Sequence, residues 1–463
     1  MSKSPQALTV KEKLGYGFGD YAFVLFWATI STQLIYFYTD VFGISAMAAG
    51  TMIMVSRFWD GVNDPLMGIL ADRTNTRWGK FRPYLLWMPV PLGIVGVITF
   101  STPDLSPDSK LVYAWVTYTL FMMAYTACNI PYSSLMAVIS PSSIERASVA
   151  SYKYVFAYAG GFTVSVSILP LAHYFGGGSE GRGWQMTLGL YGFVAALLLF
   201  VSFLSVKERV TPPPKQETSI KQDLLDLSRN IPWLILLLVT LFMILFIAIR
   251  SSVATHYFKY FVVSASIPFW GSGEPHDYVT LTSVFNGVGQ AFCILGVICT
   301  KWIAGPLGKK RAFIVSFVVN IVTVAFYYLF GPEDIVLIFV FQAITSFAAG
   351  PLVPLIWAMY ADTADYAEWI HHRRATGLVF SASTMSQKMG WAIGSFVIGL
   401  LLTATGFTSD MTATQEVKDG IKALMSIIPA IAGVVSVIFM MFYKLDEETM
   451  QRIAIDLAKR RSD

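Results

Sequence analysis

Apolar runs long enough to cross about 30 Å of hydrocarbon recur along the whole chain. They fall at 18–42, 47–71, 83–101, 111–138, 148–174, 184–206, 232–262, 278–302, 311–330, 335–361, 376–406 and 419–443. No segment shows the ten-residue alternation of apolar and polar positions that a transmembrane barrel needs. The pattern predicts an all-α polytopic membrane protein of about 12 transmembrane helices.

Composition removes the soluble alternative. Of 463 residues, 55% are hydrophobic and only 13% are charged, roughly half the charged share of a soluble domain. So few charges cannot coat the two or three soluble cores a chain of this length would form. The mean hydropathy of +0.58 agrees.

The net charge of +4 is spread over loops between the runs and forms no stripe, which argues against nucleic-acid binding. Cys128, Cys293 and Cys299 all lie inside apolar runs and read as small buried hydrophobes. The first fifteen residues are polar and basic, so no cleavable leader is expected. HExxH does not occur, and the chain is not expected to be an enzyme.

Loop charge sets the orientation. Lys and Arg gather at 72–82 (Arg73, Arg77, Lys80, Arg82), 207–229, 309–311, 371–374 and the C-terminal tail, while 101–110 holds only Lys110 and 331–334 none. By the positive-inside rule both termini are expected in the cytoplasm, with the chain in the inner membrane. The stretch 207–230, stiffened by Pro212, Pro213 and Pro214, reads as a cytoplasmic linker with a short helix in QDLLDLSRN. It divides the chain into an N-terminal six-helix half (1–206) and a C-terminal half with its tail (231–463). GILADRTNTRWGKFRP at 68–83 and KWIAGPLGKKRA at 301–312 each place a glycine and a basic cluster after the second helix of a half. That is the internal symmetry of transporters built as 6+6 pseudo-symmetric halves around one cavity.

Charges inside the runs are costly, about 2.5–3.5 kcal/mol each at a helix centre, and mark candidate sites. In SRFWDGVNDPLMG, Asp60 and Asp64 stand one turn apart on one face of the second helix, flanked by Asn63. Two carboxylates so close need a cation between them or a shared proton. With a hydroxyl from another helix, such as Thr126, they suit a hard cation such as Na⁺. The alternative is that Arg57 neutralises one aspartate and the pair pins helices together. Asn129 and Ser133 flank Pro131 in the fourth helix, where a proline break is tolerated beside a cavity or polar side chains join helices. Lys153, Arg250 and Lys388 are cations in apolar surroundings, with His256 and Lys259 near Arg250. A lysine near a helix end can instead snorkel to the interface. Tyr36, Tyr132 and Trp357 are rings placed to stack on a sugar or to pack in the core.

YGFGD at 16–20, YTDVFG at 38–43, RFWDGVNDPLMG at 57–68, ADRTNTRWGKFRPY at 71–84, NIPYSSL at 129–135 and ADTADYAEW at 361–369 follow one another in order. Together they resemble the glycoside–pentoside–hexuronide:cation symporters of the major facilitator superfold, over nearly the whole length. The resemblance implies a cation site at Asp60, Asn63, Asp64 and Thr126, and a sugar site including Thr384 and Lys388. It implies co-transported Na⁺ or H⁺ with no other cofactor, a small-molecule sugar partner, the lipid bilayer as surroundings, and function as a monomer.

Departures gather in the sugar site. The helix 1 aspartate of the family's best-known member is Val24 here, with Asp20 one turn earlier; its helix 4 aspartate is Asn129, and the tryptophan that follows is Ser133. Its helix 5 arginine is Lys153, and its helix 10 tryptophan is Val353, with Trp357 one turn later. Loss of carboxylates beside retained cations, with Arg250 added, points to an acidic sugar. The expected activity is symport by alternating access. Arg77, Glu145, Asp362, Asp365 and Glu368 are expected to form cytoplasmic gate ion pairs. A lysolipid-like substrate, or a sensor that binds sugar without moving it, are the rival functions.

Overall fold

The computed structural model describes residues 8–140, 143–209, 228–267, 275–371, 376–408 and 413–462. Most of the expected linker helix and the basic turn 372–375 lie outside them. The described chain is helical apart from a two-residue hairpin, β1 (Ser264–Ala265) with β2 (His276–Asp277).

In the N-terminal half the helices are α1 (Val10–Tyr36), α2 (Ala46–Arg73), α3 (Arg82–Trp87), α4 (Pro89–Thr99), α5 (Pro107–Val138), α6 (Ser143–Gly176) and α7 (Glu180–Ser205). In the C-terminal half they are α8 (Ile231–His256), α9 (Tyr278–Leu307), α10 (Lys309–Phe326), α11 (Ile335–Ala349), α12 (Leu352–His371), α13 (Thr376–Ala404), α14 (Gln415–Met425) and α15 (Ile427–Met441). A tail helix, α16 (Glu447–Ser462), has no counterpart in the apolar pattern.

Three expected spans are broken. The third divides between α3 and α4, where Pro89 and Pro91 cannot donate to a helix ladder. The tenth divides between α11 and α12 at Gly350–Pro351. The twelfth divides between α14 and α15 at Ser426, whose φ of −128° and ψ of −85° leave the helical region. Nine spans among the described residues are long and apolar enough to cross a membrane on length and composition alone. The remaining three are α2, which carries Arg57, Asp60 and Asp64, the broken α3–α4, and α10, which opens on Lys309, Lys310 and Arg311.

By contacts the chain falls into two compact units. The first comprises Met1–Pro214, Val279–Gly287 and Phe407–Met411; the second comprises Lys215–Tyr278, Val288–Gly406 and Thr412–Asp463. In the first unit α1 packs on α6 and α7, and α4 on α7. In the second, α8 packs on α13 and α15, and α10 on α15. The first helix of each half therefore meets the fifth and sixth of its own half, which is the repeat the loops suggested.

Two details carry the repeat to single residues. α1 and α8 both end in a π-turn, Phe37–Val41 and Tyr257–Val262, that begins at an identical Tyr-Phe pair. Phe42 N donates to Phe37 O and Val263 N to Phe258 O, each at 2.8 Å and five residues back. The glycine turns also match: Gly79 (φ 112°) and Gly308 (φ 73°) both adopt the left-handed backbone that side chains disfavour. Past Gly79, the Glu208 carboxylate accepts from Lys80 N, Phe81 N and Arg82 N at 3.0, 2.8 and 3.0 Å. A Cβ added to Gly308 would lie 3.8 Å from Glu447 Oε2. Each half thus brings an acid from beyond its last span to the turn after its second.

Val263 is the one non-glycine residue with positive φ (68°) among the described residues. Its ψ of −65° makes a strained γ-turn, and its side chain is 56% exposed, so little packing compensates. Val263→Gly is expected to stabilise the protein by about 1 kcal/mol, the relief of strain less the entropy glycine adds to the unfolded chain. A raised apparent melting temperature in detergent checks this.

Candidate functional site

The second helix starts cleanly because Ser45 Oγ accepts from Ala48 N, and it runs unbroken past Pro65. Asp60 is fully buried and 3.6 Å from Arg57 Nη1, itself only 2% exposed. The Arg57 guanidinium lies over the Trp27 ring of α1, 4.5 Å from its centroid. One turn on, Asp64 Oδ1 accepts from the Thr126 hydroxyl of α5 at 3.0 Å. Asn63 Nδ2 is buried with no hydrogen-bond partner among the described residues. Asp60, Asn63, Asp64 and Thr126 thus stand on two packed helices, and Arg57 adds a cation that holds one carboxylate. The ion pair named as an alternative and the hydroxyl bridge expected of a cation site coexist.

In the same unit Asp20 of α1 meets Lys153 of α6, with Oδ1 and Nζ 3.6 Å apart. Asn129 is half-buried and Ser133 exposed on α5, on either side of Pro131. The helix runs through Pro131 without a break and is clasped to α1 by two tyrosines. Tyr16 OH donates to Tyr132 O at 3.1 Å, and Tyr132 OH donates to Tyr16 O at 2.7 Å. Their rings stack at 4.5 Å. Gly19 is required there, because a Cβ would come within 2.5 Å of the Tyr132 ring. Tyr132 and Tyr36 are therefore core residues, 0% and 1% exposed, and neither presents a face to a sugar.

In the second unit Thr384 is exposed and Lys388 half-buried, one turn apart on α13. Trp357 of α12 is half-buried, its ring 5.7 Å from that of Tyr360. Arg250 sits elsewhere. Its Nη2 donates to Gln342 Oε1 of α11 at 2.6 Å, and its guanidinium lies 4.9 Å from the centroid of the Tyr327 ring. That setting ties α8 to α11 and the end of α10. His256 is fully buried on α8 with its ring 6.3 Å from Tyr260.

Of the five residues expected at a cytoplasmic gate, Glu145, Asp362 and Arg77 make contacts within their own units. Glu145 pairs with Lys13 at 3.0 Å and accepts from Leu8 N at 3.2 Å. Asp362 pairs with Lys309. Arg77 is exposed, its guanidinium over the neighbouring Trp78 ring at 4.3 Å. Asp365 and Glu368 are half-buried on α12. Sequence reasoning missed Glu208 and Arg209. Arg209 pairs with Glu12 and its backbone N donates to Val138 O at 2.8 Å, fastening the start of the linker to α1 and α5. Nothing local in KERV marks them, since their partners lie far away in sequence.

A family model described as MFS/sugar transport protein matches residues 15–447. The chain belongs to that family. It is 35% identical over 461 residues to the inner membrane symporter YicJ of Escherichia coli K12, covering 98% of this chain and 96% of that protein. It is 34% identical over 442 residues to the isoprimeverose transporter of Lactiplantibacillus pentosus, covering 94% and 89%. Among solved structures, a bacterial homologue of the human peptide transporters PepT1 and PepT2 matches with a TM-score of 0.68 over 96% of this chain and 99% of that one. At 11% identity that match shows the fold alone. The family and these relatives are transporters, not enzymes.

Two outcomes are expected. Arg250→Ala leaves the Gln342 oxygen without its donor and should cost about 1–3 kcal/mol of stability. A lowered melting temperature with the KM for sugar retained would show a packing role. The second concerns pH. The hydrogen bond from Lys13, with that from Leu8 N, holds the Glu145 carboxyl below the ordinary glutamate value of 4.5. A depressed folded value means the contact stabilises above the unfolded value and is lost as pH falls through the folded one. Exchange-corrected amide protection near Leu8 should therefore fall as pH drops below 4.5. Glu145→Gln should remove that step.

Proposed function

We propose that the protein is a cation-coupled symporter of the inner membrane that imports a neutral glycoside by alternating access of its two halves, with both termini cytoplasmic. The observation that carries this is the charge count in the first unit's spans. Asp40, at the far end of the first span, accepts from Thr39. The remaining charges inside these spans are Asp20, Asp60 and Asp64 with Lys153 and Arg57, three carboxylates to two cations, which leaves one negative charge. One Na⁺ or H⁺ balances it.

Na⁺ is the better fit. The Asp60 and Asp64 carboxylates and the Thr126 hydroxyl supply hard oxygen ligands from two packed helices. Arg57 is the internal competitor: an entering cation takes over Asp60, and the guanidinium keeps its place over Trp27. Neutralising α2 removes a charge that costs about 2.5–3.5 kcal/mol in hydrocarbon and so favours closure around sugar. By linkage, sugar must raise cation affinity by the same factor.

The sugar is drawn as neutral for two reasons. Lys153 already has Asp20 as counter-ion, and Arg250 is engaged between helices, so two of the three cations that suggested an acidic sugar are accounted for. The isoprimeverose transporter, a relative at 34% identity, supports the same class. The test is isoprimeverose uptake into proteoliposomes under an imposed Na⁺ gradient at fixed pH, then under a pH gradient without Na⁺. Na⁺-driven accumulation is expected, falling at least about tenfold in Asp64→Asn, the scale of one lost charge-assisted contact. Binding without accumulation under either gradient would make the protein a sensor and end the symport reading.

A further inference from the structure

Resting on the sugar-transport reading, we propose that Asp20 sets the charge of the accepted sugar: it is a built-in carboxylate that holds Lys153 and excludes sugars bearing their own. Two observations meet here. First, the pair is preformed, 3.6 Å apart, yet not sealed: the Lys153 side chain keeps 29% of its exposure and Asp20 12%. A lysine held by a carboxylate on one side and open on the other can still donate to hydroxyls, since its ammonium has three donors. Its charge, however, is already cancelled.

Second, with Asp40 set apart at the far end of the first span on its own Thr39 contact, the five charges Asp20, Asp60, Asp64, Lys153 and Arg57 come to zero once one monovalent cation is bound. A neutral glycoside leaves that balance intact. A uronate adds an uncompensated negative charge beside Asp20, and like charges juxtaposed in a desolvated site are strongly disfavoured. Discrimination of this kind works by repulsion of the wrong ligand as well as attraction of the right one. The position of Asp20 supports the assignment. It sits on α1 one turn before Val24, beside the Tyr16–Tyr132 clasp and Gly19, which fix the backbone from which it projects. An aspartate there reaches Lys153 on α6 and leaves the lysine's outer side to a ligand.

Removing the carboxylate should therefore convert Lys153 into a free cation for an acidic ligand. The experiment compares methyl β-D-glucoside with methyl β-D-glucuronide, which differ only in oxidation at C6, by uptake into proteoliposomes containing wild type, Asp20→Asn, or Asp20→Asn/Lys153→Gln. The glucuronide-to-glucoside ratio is expected to rise by about tenfold or more in Asp20→Asn, the scale of one like-charge repulsion removed. It should return to the wild-type range in the double variant, where no cation remains to attract the acid. Melting temperatures of all three proteins in detergent show that each is folded.

A ratio unmoved by Asp20→Asn overturns the proposal, including the case in which Lys388 of the second unit sets the sugar's charge. So does a rise that persists when Lys153 is also removed, or a wild type that already favours the glucuronide. A wild type that carries neither glycoside counts against the neutral-glycoside reading alone. A gain of glucuronide uptake in Asp20→Asn would then still support the charge rule, and its absence would still defeat it.

Discussion

Charge in hydrocarbon is the constraint from which the rest of this protein follows. An ionised side chain at the centre of a span costs several kilocalories per mole unless it is paired, and here the ionised groups of the first unit come with partners. Arg57 holds Asp60 within one helix, Thr126 reaches Asp64 from another, and Lys153 meets Asp20 across the α1–α6 contact. Pairing of this kind contributes little net stability, because desolvation offsets most of the attraction. What it provides is a set of charges that can be re-paired. On the proposed reading, a cation entering at Asp60 and Asp64 exchanges one partner for another without exposing a bare carboxylate to lipid, and that exchange is what would couple ion to sugar.

The same economy appears in how the backbone is broken. Backbone at membrane depth leaves the helical ladder only where its polar groups find other partners. At the ends of α1 and α8 the ladder continues as a π-turn, closing at 2.8 Å, while α5 runs on through Pro131 and is clasped to α1 by the reciprocal Tyr16–Tyr132 bonds. Both π-turns are covered by a lysine: Lys110 Nζ lies 5.6 Å from the Phe42 ring centroid, and Lys422 Nζ 5.2 Å from that of Phe261. The repeated architecture is thus kept at irregular points as well as along the helices.

Hydropathy made the spans legible, because lipid imposes a run length that sequence must satisfy. It also singled out Asp60 and Asp64, since carboxylates one turn apart in an apolar run have few uses; the Thr126 contact with Asp64 depends on the packing of α2 on α5. Breaks inside runs were harder. Pro89, Pro351 and Ser426 divide helices whose apolar character continues straight through, and hydropathy does not register a lost hydrogen bond. The partners of lone cations were not legible at all. Lys153 and Arg250 look alike in sequence, yet one meets Asp20 and the other Gln342 and Tyr327, because each choice depends on which helix packs alongside. Tyr132 misled for the same reason. A tyrosine after a proline break suggested a sugar platform, whereas its hydroxyl was already committed to the Tyr16 carbonyl.

Reciprocity between ion and sugar is the most direct consequence of the charge exchange proposed on α2. Titration calorimetry on the purified protein would give the isoprimeverose affinity with and without saturating Na⁺, and the Na⁺ affinity with and without saturating sugar, at one pH. The account predicts that each ligand tightens the other by the same factor, within the roughly 5–150-fold range of coupled sites, and that Asp60→Asn abolishes the factor. Sugar affinity indifferent to Na⁺ and to pH would contradict it.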